Sequence, residues 1–213
     1  MYPYSLLIFS SLALAGWAQS TNSSAVRKFC RNVPGDPGFP TQIQWASLNA
    51  SVSGRLVHVV PFAQFCKTLP GGACTSQQLL SSVFRDEIPG AMYQANWEQD
   101  YDSFPPSLCE PRLRVCGQGN VPLFGVLAES TSDIQAGVKF ARSHNLRLAI
   151  KASGHDYLGR STAKDSLLIS THKLQNISFT DNFVVGGQSL GPAVTLGSGV
   201  RLQQMYAATR AEG

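Results

Sequence analysis

The middle of the chain carries the pattern that most restricts its fold. Val121 to Ala128 is an apolar run typical of a buried strand, and Leu146 to Ile150 is a second one. Between them, Ser130 to Asp133 supplies side-chain oxygens that can cap a helix, and apolar residues recur at helical spacing from Ile134 to Ala141. A strand, a helix and a strand joined by short connections predict a βαβ unit with parallel strands.

The sequence divides near residue 117. Residues 117–213 continue the regular pattern, with strands predicted at Leu167 to Ser170 and Ala193 to Leu196 and a helix from Leu202 to Thr209. Residues 19–116 are rich in Pro-Gly turns and hold all five cysteines, so they predict an irregular, partly helical segment. Within that segment, a short helix is predicted from Gln77 to Phe84 and a short strand at Val57 to Pro61. The fold class predicted is therefore α+β.

The amino-acid composition of the chain argues against several classes of protein. Only 14% of the residues are charged, and the 213 residues include 19 Gly and 12 Pro, which argues against a coiled coil or a helical bundle. Apolar residues make up 43% and are spread along the chain, so a disordered protein is excluded. The net charge of +4 comes from scattered residues with no Lys/Arg run, and nucleic acid is therefore not a predicted partner.

The N-terminus predicts an export signal over residues 1–18. An apolar stretch runs from Leu6 to Ala15, and the small residues Gly16 and Ala18 then form a cleavage site. The stretch is shorter than the ~20 apolar residues of a membrane span. We therefore expect a secreted protein that is not associated with a membrane after the signal is removed.

In a secreted protein, sequons can be glycosylated and cysteines can form disulfides. Asn22, Asn49 and Asn176 begin N-x-[ST] sequons and become candidate glycosylation sites on exposed loops. Five cysteines in an oxidising compartment predict at most two disulfides. The short-loop pairs are Cys66–Cys74 and Cys109–Cys116, but Cys30 can instead reach across to one of these four. No CxxC pair is present, and no metal site is expected.

The loop after the second strand holds the candidate functional residues. It runs from Lys151 to Thr162, and ligands of open α/β sheets bind at the carboxyl ends of strands. Gly154 and Gly159 allow the backbone to turn and to approach a ligand closely. Consecutive backbone N–H groups, hydroxyls and positive charge suit a pyrophosphate, and His155 offers a nucleophilic imidazole. Lys151 is predicted to be either a phosphate contact or an exposed strand end.

Other ligand-binding motifs are missing. The sequence has no GxxxxGK[ST] loop and no GxSxG elbow, and Gly197-Ser198-Gly199 is only a fragment of GxGxxG. A hydrolase that uses His155 and Asp156 is therefore disfavoured. His58, His144 and His172 have no comparable setting and are expected at the surface or in packing roles.

Three stretches resemble the secreted fungal oxidases of the vanillyl-alcohol oxidase and berberine-bridge-enzyme-like group. These are CRNVPGDPGFP from Cys30, the stretch from Val121 to Ser161 that contains KASGHDYLGRS, and TLGSGVRLQQMY from Thr195. Members of the group carry an FAD-binding domain of the p-cresol-methylhydroxylase type, which the resemblance implies here in part. Where members often have two further N-terminal cysteines, this chain has Asn32 and Gly38.

The resemblance implies FAD as cofactor, joined covalently through His155 to the 8α carbon of its ring. It implies that the pyrophosphate and ring are lined by the rest of the loop and by a second, Gly-rich turn. These residues are Ser153, Gly154, Asp156, Tyr157, Leu158, Gly159, Arg160 and Ser161, with Gly197, Gly199 and Val200 in the turn. It also implies a small-molecule substrate, an alcohol, a sugar or a secondary-metabolite intermediate, and O2 as the electron acceptor.

Members of the group are much longer than this chain, and their substrate domain and catalytic base have no counterpart here. Two functions therefore stay open: the N-terminal part of an oxygen-using oxidase, or a non-catalytic truncated remnant. We expect residues 1–213 alone to retain FAD weakly or not at all. A yellow flavin spectrum that survives acid precipitation would contradict that expectation.

Overall fold

The computed structural model describes residues 30–213. The predicted signal at residues 1–18 and the sequon at Asn22 lie outside the described residues. The first elements in chain order are helix α1 (Gln42–Ser51), strand β1 (Leu56–His58), helices α2 (Phe62–Cys66), α3 (Ser76–Leu80) and α4 (Ser82–Asp86), and a 3₁₀ helix (Ala95–Glu98). They are followed by β2 (Phe124–Leu127), α5 (Thr131–Ser143), β3 (Arg147–Lys151), β4 (Ser166–Ser170), β5 (Ile177–Thr180), β6 (Val184–Val185), β7 (Gln188–Ser189), β8 (Ala193–Leu196) and α6 (Leu202–Glu212).

The main sheet has the strand order β1-β2-β4-β3. Strands β2 and β3 are both parallel to β4, which confirms the predicted βαβ unit and places β4 between its two strands. Leu127 and Lys151 both pair with Ser170, so three strands end at the same edge of the sheet. Strand β1 comes from the N-terminal segment and pairs antiparallel with β2. The sheet thus runs across residue 117, where the sequence indicated a division.

Helix α5 begins and packs as its sequence indicates. Ser130 is the N-cap, and its hydroxyl accepts from the N–H of Asp133 while the Asp133 carboxylate accepts from the N–H of Ser130 at 3.0 Å. Asn145, at φ +51°, ends the turn after the helix. The buried face of the helix packs on a core that includes Leu167 and Ile169 of β4.

The region after β4 is more exposed. Strand β8 pairs antiparallel with β5, and β6 pairs with β7 in a short hairpin. The predicted strand at 193–196 is confirmed, and the predicted helix from Leu202 extends to Glu212. None of the helices between residues 30 and 213 combines the length and the apolar character that crossing a bilayer requires.

The N-terminal segment contains short helices and two disulfides, Cys66–Cys74 and Cys109–Cys116, the two short-loop pairs of the sequence analysis. The single helix predicted from Gln77 to Phe84 is wrong. Ser81 is extended, ends α3 and uses its hydroxyl to accept from the N–H of Phe84 in α4. The hydroxyl competes with the helix for backbone partners, so it starts a new helix instead of continuing the first.

Asn32 and Gly38, the positions at which the resembling family often has cysteines, lie against each other. A Cβ added at Gly38 would lie 2.4 Å from Asn32 Nδ2. That nitrogen donates to the carbonyl of His144 at 2.7 Å, and the Asn32 N–H donates to the carbonyl of Asn145 at 2.9 Å. These bonds attach the N-terminal segment to the end of α5.

Residues Asp86–Tyr93, here called the strap, lie against the carboxyl ends of the parallel strands. Lys151, at the end of β3, is only 1% exposed, and its ammonium donates to the carbonyls of Ile88 at 2.6 Å and Pro89 at 3.3 Å. Both predictions for Lys151, a phosphate contact and an exposed strand end, are therefore wrong. The reason is long-range packing: the strap covers the end of β3 and supplies carbonyl partners for the buried charge.

A buried carboxylate holds the strap from its other side. Glu98 accepts from the Arg85 guanidinium at 2.6 Å, from the N–H of Met92 at 2.9 Å and from the N–H of Phe62 at 3.1 Å. The Arg85 guanidinium also lies 4.0 Å from the centre of the Phe62 ring. With three donors, the carboxylate fixes the strap to α2 and α4.

The titration of Lys151 gives a prediction for stability. Burial lowers the pKa of Lys151 to about 8, although Glu98 and Asp86 oppose the shift and Arg85 adds to it. The unfolded chain keeps this proton until its pKa of about 10.4, so between the two values it binds more protons than the folded chain. Folding stability should therefore rise with pH in that window, relative to Lys151→Met.

We expect the difference between wild type and Lys151→Met in free energy of unfolding to shift by about 1–2 kcal/mol in favour of wild type between pH 7 and pH 9.5. Urea unfolding at a series of pH values measures it. Lys139→Met, at an exposed position of α5, is the control and should follow wild type. A Lys151→Met curve that runs parallel to wild type would contradict the buried, shifted ammonium.

Asp133 gives a second prediction. Its carboxylate is 2% exposed and accepts from Arg55 at 2.6 Å and from the N–H of Glu129 at 3.0 Å, in addition to the capping bonds. Asp133→Ala should lower the free energy of unfolding by about 2–3 kcal/mol, because it removes bonds to a charged acceptor. Ser130→Ala removes only the cap hydroxyl and should cost about 1 kcal/mol. Equal losses in urea denaturation would show that Asp133 acts as a cap alone.

Candidate functional site

The loop from Ala152 to Thr162, here called the His155 loop, begins at the edge of the sheet where three parallel strands end. The N–H of Thr171, just after β4, donates to the carbonyl of Lys151 at 2.8 Å and joins the start of the loop to the next strand. Thr162, at the other end of the loop, donates to the carbonyl of Asn120 at 2.7 Å. The loop is therefore anchored at both ends, and its middle faces solvent.

Asp156 holds the loop from within. Its carboxylate is buried and accepts from the N–H of Leu158 at 3.0 Å, from the Arg160 guanidinium at 3.2 Å and from the Ser161 hydroxyl at 3.3 Å. Burial acts to raise the pKa of Asp156, but these donors outweigh it and the pKa is lowered. Asp156 is thus an ionised organiser of the turn, and its carboxylate makes no hydrogen bond to the imidazole of His155 in the described part of the chain.

His155 is exposed, and its ring lies between two tyrosines. The ring of Tyr93, from the strap, meets it edge-on with the centroids 4.8 Å apart, and the ring of Tyr157 does so at 5.0 Å. The N–H of His155 donates to the Ser153 hydroxyl at 3.2 Å, and the N–H of Tyr93 donates to the carbonyl of Gly154 at 3.2 Å. The imidazole is therefore oriented by its neighbours and remains open to a ligand.

The two glycines of the loop are required by close packing. Gly154 has φ +82°, and a Cβ there would lie 2.8 Å from Lys151 Cε and 3.1 Å from the carbonyl oxygen of Ala91. Gly159 has φ +70°, and a Cβ there would lie 2.5 Å from the Trp97 ring. The sequence explained these glycines by approach to a ligand, whereas the structure shows that the N-terminal segment occupies the space a side chain would need.

The loop offers backbone donors that have no partner within the protein. Among residues 30–213, the backbone N–H groups of Ser153, Gly154 and Tyr157 donate no hydrogen bond. Arg160 keeps most of its guanidinium exposed while it contacts Asp156. Three N–H groups without a partner and a positive charge around a tight turn suit an anion such as a diphosphate. The side chains of Tyr157 and Leu158, 71% and 67% exposed, add apolar surface beside it.

The second predicted turn, Gly197 to Val200, adjoins the residues after β4. The N–H of Gly197 donates to the carbonyl of Asn176 at 2.8 Å and that of Gly199 to the carbonyl of Leu174 at 2.9 Å. A Cβ at Gly197 would lie 2.0 Å from the Leu174 oxygen, and one at Gly199 would lie 2.1 Å from the His172 oxygen. Both glycines are thus needed because the turn packs directly against the backbone of the residues after β4. Their contact with a flavin stays a prediction.

Arg201, after this turn, reaches back to the strap. Its guanidinium lies 3.2 Å from a carboxylate oxygen of Asp86, whose side chain is fully buried. Burial raises the pKa of Asp86, and Arg201 opposes that shift. Burial likewise raises the pKa of Tyr93, which neighbours Asp86. The strap therefore joins the His155 loop to the Gly197–Val200 turn.

The strap and the 3₁₀ helix contribute residues to the site that were not predicted from the sequence. Tyr93 and Trp97 lie more than fifty residues before the loop they contact, and no local pattern marks them. The other histidines follow the expectation. His172 is buried with Nε2 3.1 Å from Glu87, while His58 and His144 lie against the rings of Phe124 and Phe140.

The two sequons within the described residues differ in setting. Asn49 lies in α1 and is half-buried, so its predicted place on an exposed loop is wrong: the residues around it continue the helix that Thr41 caps. Asn176 is exposed and immediately precedes β5.

Comparison with known proteins assigns the fold of this region. Residues 122–213 match the family described as an FAD binding domain. The chain is 40% identical over 210 residues to an uncharacterized FAD-linked oxidoreductase of Arthroderma benhamiae, covering 94% of this chain and 36% of that protein. It is 36% identical over 220 residues to the VAO-type flavoprotein oxidase VAO615 of Thermothelomyces thermophilus, covering 99% of this chain and 37% of that protein.

A solved structure of a VAO-type flavoprotein has a similar fold. The crystal structure of the VAO-type flavoprotein MtVAO615 from Myceliophthora thermophila superimposes with a TM-score of 0.72 at 34% identity, covering 86% of this chain and 34% of that one. The chain thus spans about a third of the length of the relatives that it matches. The fold therefore mixes helices and strands and includes a partial VAO-type FAD-binding domain, and the chain is similar to VAO-type FAD-linked oxidoreductases over the third of their length that it covers.

Proposed function

We propose that the loop from Ser153 to Ser161 binds the diphosphate of FAD and that His155 is the point of covalent attachment, through the 8α carbon of the flavin ring, in an oxygen-using oxidase. The observation that carries the proposal is the exposed imidazole, held between two tyrosine rings directly beside three unpaired backbone N–H groups. The name of VAO615 as a flavoprotein oxidase supports the choice of an oxidase.

Different groups of the loop would bind different parts of FAD. The N–H groups of Ser153, Gly154 and Tyr157 would bind the diphosphate oxygens, and Arg160 would add charge stabilisation. Tyr93 and Tyr157 restrict the imidazole of His155, while Asp156 keeps the turn closed. Bound FAD would supply the redox chemistry, accepting a hydride from the substrate and passing the electrons to O2.

The substrate is proposed only as a class: an alcohol, a sugar or a secondary-metabolite intermediate. Several relatives are named FAD-linked oxidoreductases, and those names specify no substrate. We further propose that the protein is secreted, on the N-terminal pattern from Leu6 to Ala18. No residue of the described chain is assigned as a catalytic base.

The covalent link is tested by His155→Ala in the protein as its source produces it. We expect flavin to remain on wild type after acid denaturation and to be absent from the variant, because the bonding nitrogen is gone. Peptide mass spectrometry should place the flavin on the peptide that contains His155. His155 is exposed, so the free energy of unfolding should change by no more than about 0.5 kcal/mol.

His58→Ala, at an exposed position outside the loop, is the matched control and should keep its flavin. Flavin bonded to the denatured His155→Ala protein would contradict the assignment. Wild type without any bonded flavin would also contradict it and would favour the non-catalytic alternative.

The diphosphate site is tested by Gly154→Ala. An added Cβ would strain the backbone at φ +82° and press on Lys151 and Ala91, so the free N–H groups would move. In the His155→Ala background, where flavin is not bonded, we expect FAD affinity, measured by flavin fluorescence titration, to fall on the order of tenfold, which corresponds to about 1.4 kcal/mol.

Gly187→Ala provides a control with matched backbone strain. Gly187 has φ +83°, lies between β6 and β7, and a Cβ there would meet nothing within 4 Å. In the same His155→Ala background, it should lose only the stability that the strained backbone costs and should keep the FAD affinity of the parent. Equal loss of affinity in both variants would show that Gly154 acts only through general stability.

A further inference from the structure

An aromatic groove lies between α1 and β1, away from the His155 loop. It has a volume of about 470 Å³, and six of its lining residues are Phe39, Trp45, Asn49, Leu56, His58 and Phe124. The rings of Trp45 and Phe124 stack with centroids 4.2 Å apart, and those of His58 and Phe124 lie 4.3 Å apart. Trp45 is buried, whereas His58 is exposed and Phe39 and Phe124 are half-buried, so three rings present surface to the groove.

Asn49 on the wall of this groove begins the sequon Asn49-Ala50-Ser51. Its Oδ1 accepts from the N–H of Leu56 at 3.0 Å, which fixes the orientation of the amide. Its Nδ2 donates no hydrogen bond within residues 30–213 and remains accessible to solvent. N-glycosylation leaves the amide oxygen as an acceptor and uses only the nitrogen. The observed bonding therefore suits an asparagine that carries a sugar.

We propose that Asn49 carries an N-linked glycan and that its first N-acetylglucosamine occupies the aromatic groove. The C–H face of a pyranose is apolar, and C–H groups are attracted to the negative face of an aromatic ring. A sugar on Nδ2 starts at the groove wall, so it covers these rings with little loss of freedom beyond the linkage itself. The groove volume lies within the roughly 300–1,000 Å³ of small-molecule sites.

The transfer is the ordinary one of the secretory pathway. A bond forms between C1 of the sugar and Asn49 Nδ2, which loses one proton, and the sugar leaves the pyrophosphate of a lipid-linked oligosaccharide donor. The proposal goes beyond the flavin function and requires only that the chain enters the glycosylating compartment.

Asn176 supplies an internal comparison. It begins the sequon Asn176-Ile177-Ser178, is exposed, and does not line the aromatic groove. A glycan there does not start at the aromatic groove. We therefore expect the two glycans to differ in their effect on stability, although both would add the same sugars.

The experiment uses the full chain exported from a fungal host. Mass spectrometry of the Asn49 peptide should show the glycan. Asn49→Gln should lower Tm by about 2–4 °C, the effect of one favourable contact in a domain of this size. Trimming with endoglycosidase H, which leaves the first N-acetylglucosamine, should preserve Tm. Asn176→Gln should leave Tm unchanged.

A groove variant separates the sugar contact from a general effect. Phe39→Leu should remove most of the Tm difference between glycosylated protein and Asn49→Gln. Ile43→Ala, on the helix that carries Asn49 but outside the groove, should keep that difference.

An unmodified Asn49 in exported protein would overturn the proposal. So would a glycosylated protein whose Tm equals that of Asn49→Gln. A Tm difference that persists in Phe39→Leu would trace to the lost bond between the Leu56 N–H and Asn49 Oδ1 and not to a sugar in the groove, and would also overturn the proposal.

Discussion

The structure depends on one buried charge. The ammonium of Lys151 lies at the end of β3 and donates to the carbonyls of Ile88 and Pro89, so the last residue of a core strand is bonded to the strap. Removing an ammonium from water is costly unless donors and acceptors match. Those carbonyls, with the nearby carboxylates of Glu98 and Asp86, supply the match. The position of the strap is consequently tied to the start of the His155 loop.

This tie explains how an exposed loop keeps a defined shape. Below the loop, Gly154 and Gly159 let the strap and Trp97 come into direct contact with its backbone. Inside it, the carboxylate of Asp156 takes the hydrogen bonds that would otherwise go to water. The backbone N–H groups of Ser153, Gly154 and Tyr157 then keep no partner within residues 30–213, next to the exposed imidazole. Packing and one internal carboxylate thus preorganise a site for an anionic cofactor, so little conformational entropy remains to be lost when the cofactor binds.

Local features were predictable from the sequence, and long-range ones were not. The cap at Ser130, helix α5 and the flanking strands follow from periodicity and capping chemistry over thirty residues. The place of β4 between β2 and β3 does not, because strand order depends on packing between segments distant in the chain. For the same reason, the burial of Lys151 and the contact of Tyr93 with His155 had no local signal. The break between α3 and α4 at Ser81 depends on one hydrogen bond, from the Phe84 N–H to the Ser81 hydroxyl. The sequence pattern there is helical on both sides of Ser81 and does not show the break.

The backbone N–H groups of the His155 loop that have no partner within it are proposed to bind the diphosphate of FAD. Amide NMR of the ¹⁵N-labelled chain during titration with FAD tests it most directly. Binding at this loop should shift the amide signals of Ser153, Gly154 and Tyr157 first and together, while the amides of the β6–β7 hairpin stay in place. Unchanged signals in these three residues, with shifts elsewhere on the chain, would contradict it.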